Sequence, residues 1–98
     1  MSAYLIFQYR ILDRSRIDEL GPLVEPLMEK YNGEIAIADY IIAVEGTTYT
    51  HMVAYKFDSK QTALNFYNSK EHLEISKLRT KITEGTVMLV PEFGTHHE

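Results

Sequence analysis

The chain has 98 residues, 45% hydrophobic and 24% charged, with a net charge of -4 and no cysteine. This length fits one domain, 1–98, the balance argues against disorder, and the acidic charge without a basic stripe disfavours a nucleic-acid partner. Disulfides, thiolate metal sites and cysteine nucleophiles are excluded; no basic region precedes the first strand-like run and no apolar stretch nears the roughly 20 residues that span a bilayer, so the expectation is a cytoplasmic protein with no membrane partner.

Tyr4 to Ile11 alternates, with Leu5, Phe7, Tyr9 and Ile11 on one face and Tyr4, Ile6, Gln8 and Arg10 on the other. The first set is a core face; the second is apolar at its start and polar further on. Asp13 offers a helix N-cap, and Ile17, Leu20, Val24, Leu27, Met28 and Tyr31 follow at helical spacing. Gly21-Pro22 and Pro26 interrupt that run. The spacing therefore predicts a short first turn or two, a kink near Gly21 and a main helix from about Pro22 to Tyr31. Asn32-Gly33 supplies a left-handed stop. Glu34 to Val44 reads as a second strand, Glu45-Gly46-Thr47 as a hairpin connection, and Thr48 to Phe57 as a third strand. On that third strand Tyr49, Val53, Tyr55 and Phe57 share one face, while Met52 and Ala54 share the other.

Ser59 caps a short helix that runs to Tyr67, with Ala63, Phe66 and Tyr67 turned inward. Asn68-Ser69 breaks the run. Ser69 then caps a second helix from Lys70 to Ile82, where Ile75, Leu78 and Ile82 recur at helical spacing. Glu84-Gly85 reads as a turn into the last strand, Thr86 to Val90, which Pro91 ends. Phe93 is expected to fold back on the body, and residues 94–98 to form a loose tail.

The order β-α-β-β-α-β predicts an α+β, ferredoxin-like domain with a four-stranded antiparallel sheet. Its helices all lie on one side. By strand parity the other side carries Tyr4, Ile6, Ala36, Ala38, Met52, Ala54, Met88 and Val90. A patch of that size exceeds what monomers usually expose. Sheet-to-sheet pairing in a homodimer is the expected solution, and a small domain gains stability by it.

From Phe66 to Val90 the chain reads FYNSKEHLEISKLRTKITEGTVMLV. Upstream stand Ala3-Tyr4, Asp13, Tyr31-Asn32-Gly33, Glu45-Gly46, and Phe57-Asp58-Ser59 before Ala63. Together, over nearly the whole chain, these resemble domain-of-unknown-function family 1330. Lys70 stands where that family has proline, His72 where an aromatic is usual, and Phe66 where tryptophan is frequent. Ala38 stands where an arginine is expected, so no anion-binding role is assigned there. The resemblance implies the dimeric α+β barrel superfamily, which includes cofactor-independent monooxygenases, haem-degrading enzymes, lactone isomerases and ligand-sensing domains. Family 1330 itself implies no established reaction, and fold-level analogy does not choose among these.

The chain has no phosphate-cradling glycine loop, no HExxH or acidic metal cluster, and no Ser-His-Asp order in a supporting context. No catalytic residue, metal or cofactor is therefore assigned. A histidine suits general-base chemistry, but no acid at recognisable spacing orients His51, which reads as a half-exposed strand residue. His72, a haem-ligand candidate by analogy with the haem-degrading relatives, reads as a packing residue. His96-His97 lack the fixed geometry a metal site requires. Arg79 has the fork to grip a carboxylate. It is read instead, with Tyr67, Asn68 and Ser69, as part of a structural motif locking the crossover to the sheet. Tyr9, Tyr49 and Tyr55 are assigned to the helix-facing core.

A ligand site is expected on the opposite, barrel-facing surface, at Tyr4, Gln8, Arg10 and Lys56, where polar groups alternate with apolar walls. The expected function is binding of a small organic molecule in a barrel between two sheets. The alternatives are a cofactor-independent monooxygenase acting on an electron-rich aromatic, and a non-catalytic structural or regulatory module. Nothing in the residues decides whether the protein is an enzyme.

Overall fold

Alternation along the first strand sets the layout. In the computed structural model, which describes residues 1–46 and 49–94, β1 (Ala3–Ile11) buries Ala3, Leu5 and Phe7 and leaves Tyr4, Ile6 and Gln8 half-exposed. A short 3-10 turn (Ile17–Glu19) leads into α1 (Leu20–Lys30), followed by β2 (Glu34–Tyr40) and β3 (His51–Phe57). The second half continues through α2 (Lys60–Tyr67), α3 (Lys70–Ile82) and β4 (Thr83–Pro91). The sheet order is β2-β3-β1-β4, and every neighbouring pair is antiparallel. This is the ferredoxin-like arrangement. Leu5, Phe7 and Phe57 of the sheet pack with Leu27 and Met28 of α1, Ala63 and Phe66 of α2, and Ile75 of α3.

Local chemistry explains the second crossover well. The Ser59 hydroxyl accepts from the Thr62 backbone N–H at 3.1 Å, and the Ser69 hydroxyl accepts from that of His72 at 3.1 Å. Each satisfies an otherwise orphaned donor at a helix start. Ser69 also donates to the Phe66 carbonyl at 2.8 Å, tying the end of α2 to the start of α3. At the end of α1, Asn32 takes the left-handed conformation (φ 55). A Cβ on the next residue, Gly33, would lie 2.7 Å from the Phe57 ring, so glycine there admits the core aromatic.

Several expectations are corrected. Asp13 caps no helix: its carboxylate accepts from the Ser15 backbone N–H at 3.0 Å and from the Ser15 hydroxyl, forming a local turn well before α1. The second strand stops at Tyr40 rather than Val44, and the third starts at His51 rather than Thr48. Of the hairpin assigned to residues 45–47, Thr47 lies outside the described residues, as does Thr48. Tyr49 precedes β3, and its ring lies under the Arg10 guanidinium, 4.7 Å away, rather than in the helix-facing core.

On β2 the pairing jumps from Ile35↔Tyr55 to Ile37↔Ala54, which makes Ala36 the extra residue of a bulge. The bulge inverts the later alternation. Ile37 and Asp39 therefore join the open face, and Ala38 turns to the helix side. Glu84-Gly85 is no turn either: α3 passes directly into β4, with Gly85 opposite Tyr9. A Cβ at Gly85 would fall 1.9 Å from the Gln8 carbonyl oxygen, so the close strand approach itself requires glycine. Phe93 is fully exposed rather than folded back. Of the expected tail, residues 95–98 lie outside the described residues.

Candidate functional site

On α3, residues 72, 75, 79 and 82 recur at spacings of three and four, which puts His72, Ile75, Arg79 and Ile82 on one face. That face looks toward Phe7 and Tyr9 of β1 and Val53 and Tyr55 of β3. Ile17, Leu20, Gly21 and Val24 approach from the 3-10 turn and α1. These elements do not close completely. A cavity of about 210 Å³ remains, its lining completed by Gln8, Thr83, Gly85 and Thr86.

Its walls are largely apolar, and its polar groups are few. His72 is 2% exposed and packed against the rings of Phe66 and Tyr67, each with centroids at 4.9 Å. Its Nδ1 lies 3.0 Å from the Tyr67 carbonyl oxygen. A carbonyl can only accept, so Nδ1 carries the proton and Nε2 keeps its lone pair. Burial lowers the His72 pKa; the Tyr67 carbonyl pulls the other way, and the Arg79 charge adds to the lowering. The imidazole is therefore neutral at neutral pH. Burial pushes the Tyr55 hydroxyl up to about 12, with Tyr9 adding to the rise and Arg79 opposing it. The Tyr9 hydroxyl is raised by burial as well. Both phenols thus stay protonated and able to donate.

Arg79 brings the positive charge. Its guanidinium sits 5.4 Å from the centre of the Phe7 ring, and Nη2 donates to the Ser76 hydroxyl at 3.3 Å. Its Nε is shut away from solvent and has no hydrogen-bond partner among the described residues. Chemically, the cavity combines a cation, two phenolic donors and a neutral imidazole against apolar walls. Such a set can bind and orient a small organic molecule, and it includes a group able to accept a proton.

The open-face residues behave differently. Tyr4 and Lys56 are cross-strand partners and both approach Glu92: the tyrosine hydroxyl donates to Oε1 at 3.4 Å, and the ammonium lies 3.8 Å from the same oxygen. Arg10 stands at the far end of β1, 3.2 Å from Glu84. Gln8 lies between them, opposite Met52 and Thr86. The structure therefore gathers Tyr4 with Lys56 and keeps Arg10 apart. In the structural motif, the Tyr67 ring packs at a tilt against His72, Asn68 ends α2, and Ser69 caps α3.

His51 lies on the helix-facing parity, stacked on Tyr9 at 5.4 Å and against Tyr40 at 4.6 Å. Among the described residues no group of three or more histidines, cysteines or carboxylates is placed to hold a metal ion. His96 and His97 lie outside the described residues. No helix among the described residues is long and apolar enough to cross a membrane.

The chain belongs to the family "Domain of unknown function (DUF1330)", whose model matches residues 2–93. No curated protein matches the sequence. Among solved structures it is similar to RPA0582 of Rhodopseudomonas palustris, a protein of unknown function. That match has a TM-score of 0.77 at 11% identity and covers 94% of this chain and 82% of the other. It is also similar to SnoaB of Streptomyces nogalater, a cofactor-independent oxygenase, with a TM-score of 0.62 at 5% identity over 99% of this chain and 98% of that one. A dimeric protein of unknown function and ferredoxin-like fold from Bacteroides fragilis matches with a TM-score of 0.54 at 15% identity, covering 93% and 96%. At these identities the likeness shows the fold alone.

Proposed function

We propose that this protein binds a small organic molecule in the cavity between α1, α3 and the sheet, and that it does so as a cytoplasmic homodimer of one domain per chain. One observation carries the binding reading: Tyr9, Tyr55, His72 and Arg79 border a single, largely apolar space of about 210 Å³. Apolar walls supply affinity and a few fixed polar groups supply orientation.

Dimerisation is supported by the open sheet face, where Tyr4, Ile6, Ile37, Met52, Met88 and Val90 remain partly or largely exposed and no helix covers them. The likeness to a dimeric ferredoxin-like protein points the same way. Pairing two such faces about a two-fold axis removes both patches from water. Ile6→Asp or Met52→Asp would then bury an unpaired charge at a cost of several kcal/mol and disperse the dimer. Sedimentation of the unmodified protein at micromolar concentration tests the assembly directly, and a monomer there refutes it.

The rival location is the open-face group Tyr4, Gln8, Arg10 and Lys56, which a dimer would enclose between its sheets. Mass spectrometry of small molecules that co-purify with the native protein supplies a ligand to titrate. Loss of affinity in Arg79→Ala with none in Tyr4→Phe and Lys56→Ala fits the helix-side cavity. The reverse pattern refutes it and assigns the site to the barrel.

A second reading is a cofactor-independent monooxygenase acting on an electron-rich aromatic, for which the likeness to SnoaB speaks. The neutral imidazole of His72 would take the substrate proton. Oxygen uptake with quinol-type substrates separates this from simple binding. A structural or regulatory module remains the reading if no small molecule binds at all.

A further inference from the structure

We infer that the ligand of this cavity is a single-ring organic anion whose carboxylate or phenolate oxygen is held by Arg79, an inference that rests on the cavity reading above. The charge argument comes first. A guanidinium stays protonated at any physiological pH, and among the described residues no carboxylate lies within ion-pair distance of Arg79. None of the residues lining the cavity is Asp or Glu. Nothing in the lining offsets the cation. An entering oxygen anion would supply the missing countercharge and accept from the guanidinium.

Geometry narrows the class. The Ser76 hydroxyl and the face of Phe7 hold the guanidinium in place, so its planar fork is fixed before any ligand arrives. Tyr55 borders the same space and remains protonated, giving a second donor to an oxygen anion. Neutral His72 accepts rather than repels a ring hydroxyl or C–H. Size sets the remaining limit. An engineered apolar cavity of about 150 Å³ holds benzene, and this cavity measures about 210 Å³. It has room for one six-membered ring with its substituents.

The test uses three probes of one shape on the unmodified protein: benzoate, benzyl alcohol and benzylamine, titrated by calorimetry at neutral pH and low salt. Benzoate should bind about tenfold more tightly than benzyl alcohol, the difference a charge-assisted hydrogen bond makes, and benzylamine should bind weakest. Arg79→Gln should abolish the preference for benzoate over benzyl alcohol, and Tyr55→Phe should weaken benzoate by a smaller factor. If benzyl alcohol binds as well as benzoate, the anion assignment is wrong although the cavity reading stands. A benzoate preference that survives Arg79→Gln also overturns it. If none of the three probes binds, the cavity reading falls and this inference with it. The probe contrast needs no variant, so a poorly folded Arg79→Gln cannot shield the proposal.

Discussion

The second crossover covers the sheet with two capped helices, whereas the first reaches it through a helix with no side-chain cap. α2 and α3 each start on a serine that satisfies a backbone donor, and Ala63 and Phe66 between them are 0% exposed. α1 starts on Glu19 without a side-chain hydrogen bond, carries Pro26 in its interior, and has at Gly21 a position whose Cβ would meet nothing within 4 Å. Proline there lacks one helix hydrogen bond and glycine adds backbone freedom, so α1 depends on Leu27 and Met28 packing into the core for its stability. The Lys30–Glu71 ion pair at 2.9 Å joins α1 to α3, but both side chains are more than half exposed and the pair contributes little. The cavity lies along this seam. Tight local specification on one side fixes Arg79 and His72, and looser specification on the other leaves room beside them.

The comparison breaks first on core truncation. Phe66 meets the rings of Phe57 and His72 at centroid distances of 5.0 and 4.9 Å, so Phe66→Ala should lower unfolding stability by about 3–5 kcal/mol. Leu20→Ala, at the cavity wall, should cost only about 1 kcal/mol. Urea denaturation measures both, and equal losses would erase the distinction between the crossovers. Capping gives the next effect. Ser69→Ala leaves the His72 backbone N–H unbonded and should cost about 0.5–2 kcal/mol, while Asp13→Ala should stay within about 0.5 kcal/mol. A third test sharpens the contrast by sign: Gly21→Ala should raise stability by about 0.5–1 kcal/mol, visible as a higher melting temperature. A drop there would mean that the open space beside Gly21 is used in the native state.

These differences also account for what could be read in advance. The core face of β1, the break at Asn68 and both serine caps were legible because each rests on local chemistry: period-two alternation, or a hydroxyl one residue before a helical run. The Ala36 bulge was not. In Ile35-Ala36-Ile37-Ala38 both parities are apolar, so no polar residue within the run marks which face is wet and the register is free to shift. Gly85 read as a turn because glycine punctuates chains, yet its use is long-range, admitting the Gln8 backbone. Of the cavity, one signal was present. His72 and Arg79 stand seven apart on the buried stripe of α3 with Ile75 and Ile82, two polar side chains where a core helix would carry apolar ones. The convergence of Tyr9 and Tyr55 on them depends on the antiparallel β1–β3 register, which only the folded sheet supplies. Aromatics at core parity otherwise read as packing, and both tyrosines do pack.

The smallest effect is silent at neutral pH and concerns the buried imidazole at the seam. The folded His72 pKa is lowered, chiefly by burial, with the Arg79 charge adding to this and the Tyr67 carbonyl opposing it. The unfolded chain titrates this histidine near 6.5. Between the folded value and 6.5 the unfolded state therefore binds more protons, so stability rises with pH in that window. The contribution is fully present above 6.5 and is lost as pH falls from there through the folded value. One group cannot produce a slope steeper than about 1.4 kcal/mol per pH unit. Glu19 and Glu71, whose carboxyls are held low by hydrogen bonds from Arg16 and Lys30, lose their contributions only as pH falls below the ordinary carboxylate range, beneath the pH values at which the urea midpoints are compared. Urea midpoints at pH 7.5, 6.5 and 5.5 should fall across the last two values in the unmodified protein. His72→Phe, which keeps an aromatic among Phe7, Phe66 and Tyr67, should flatten that fall. An unchanged slope in the variant would place the titrating group elsewhere and remove the case for a neutral base beside Arg79.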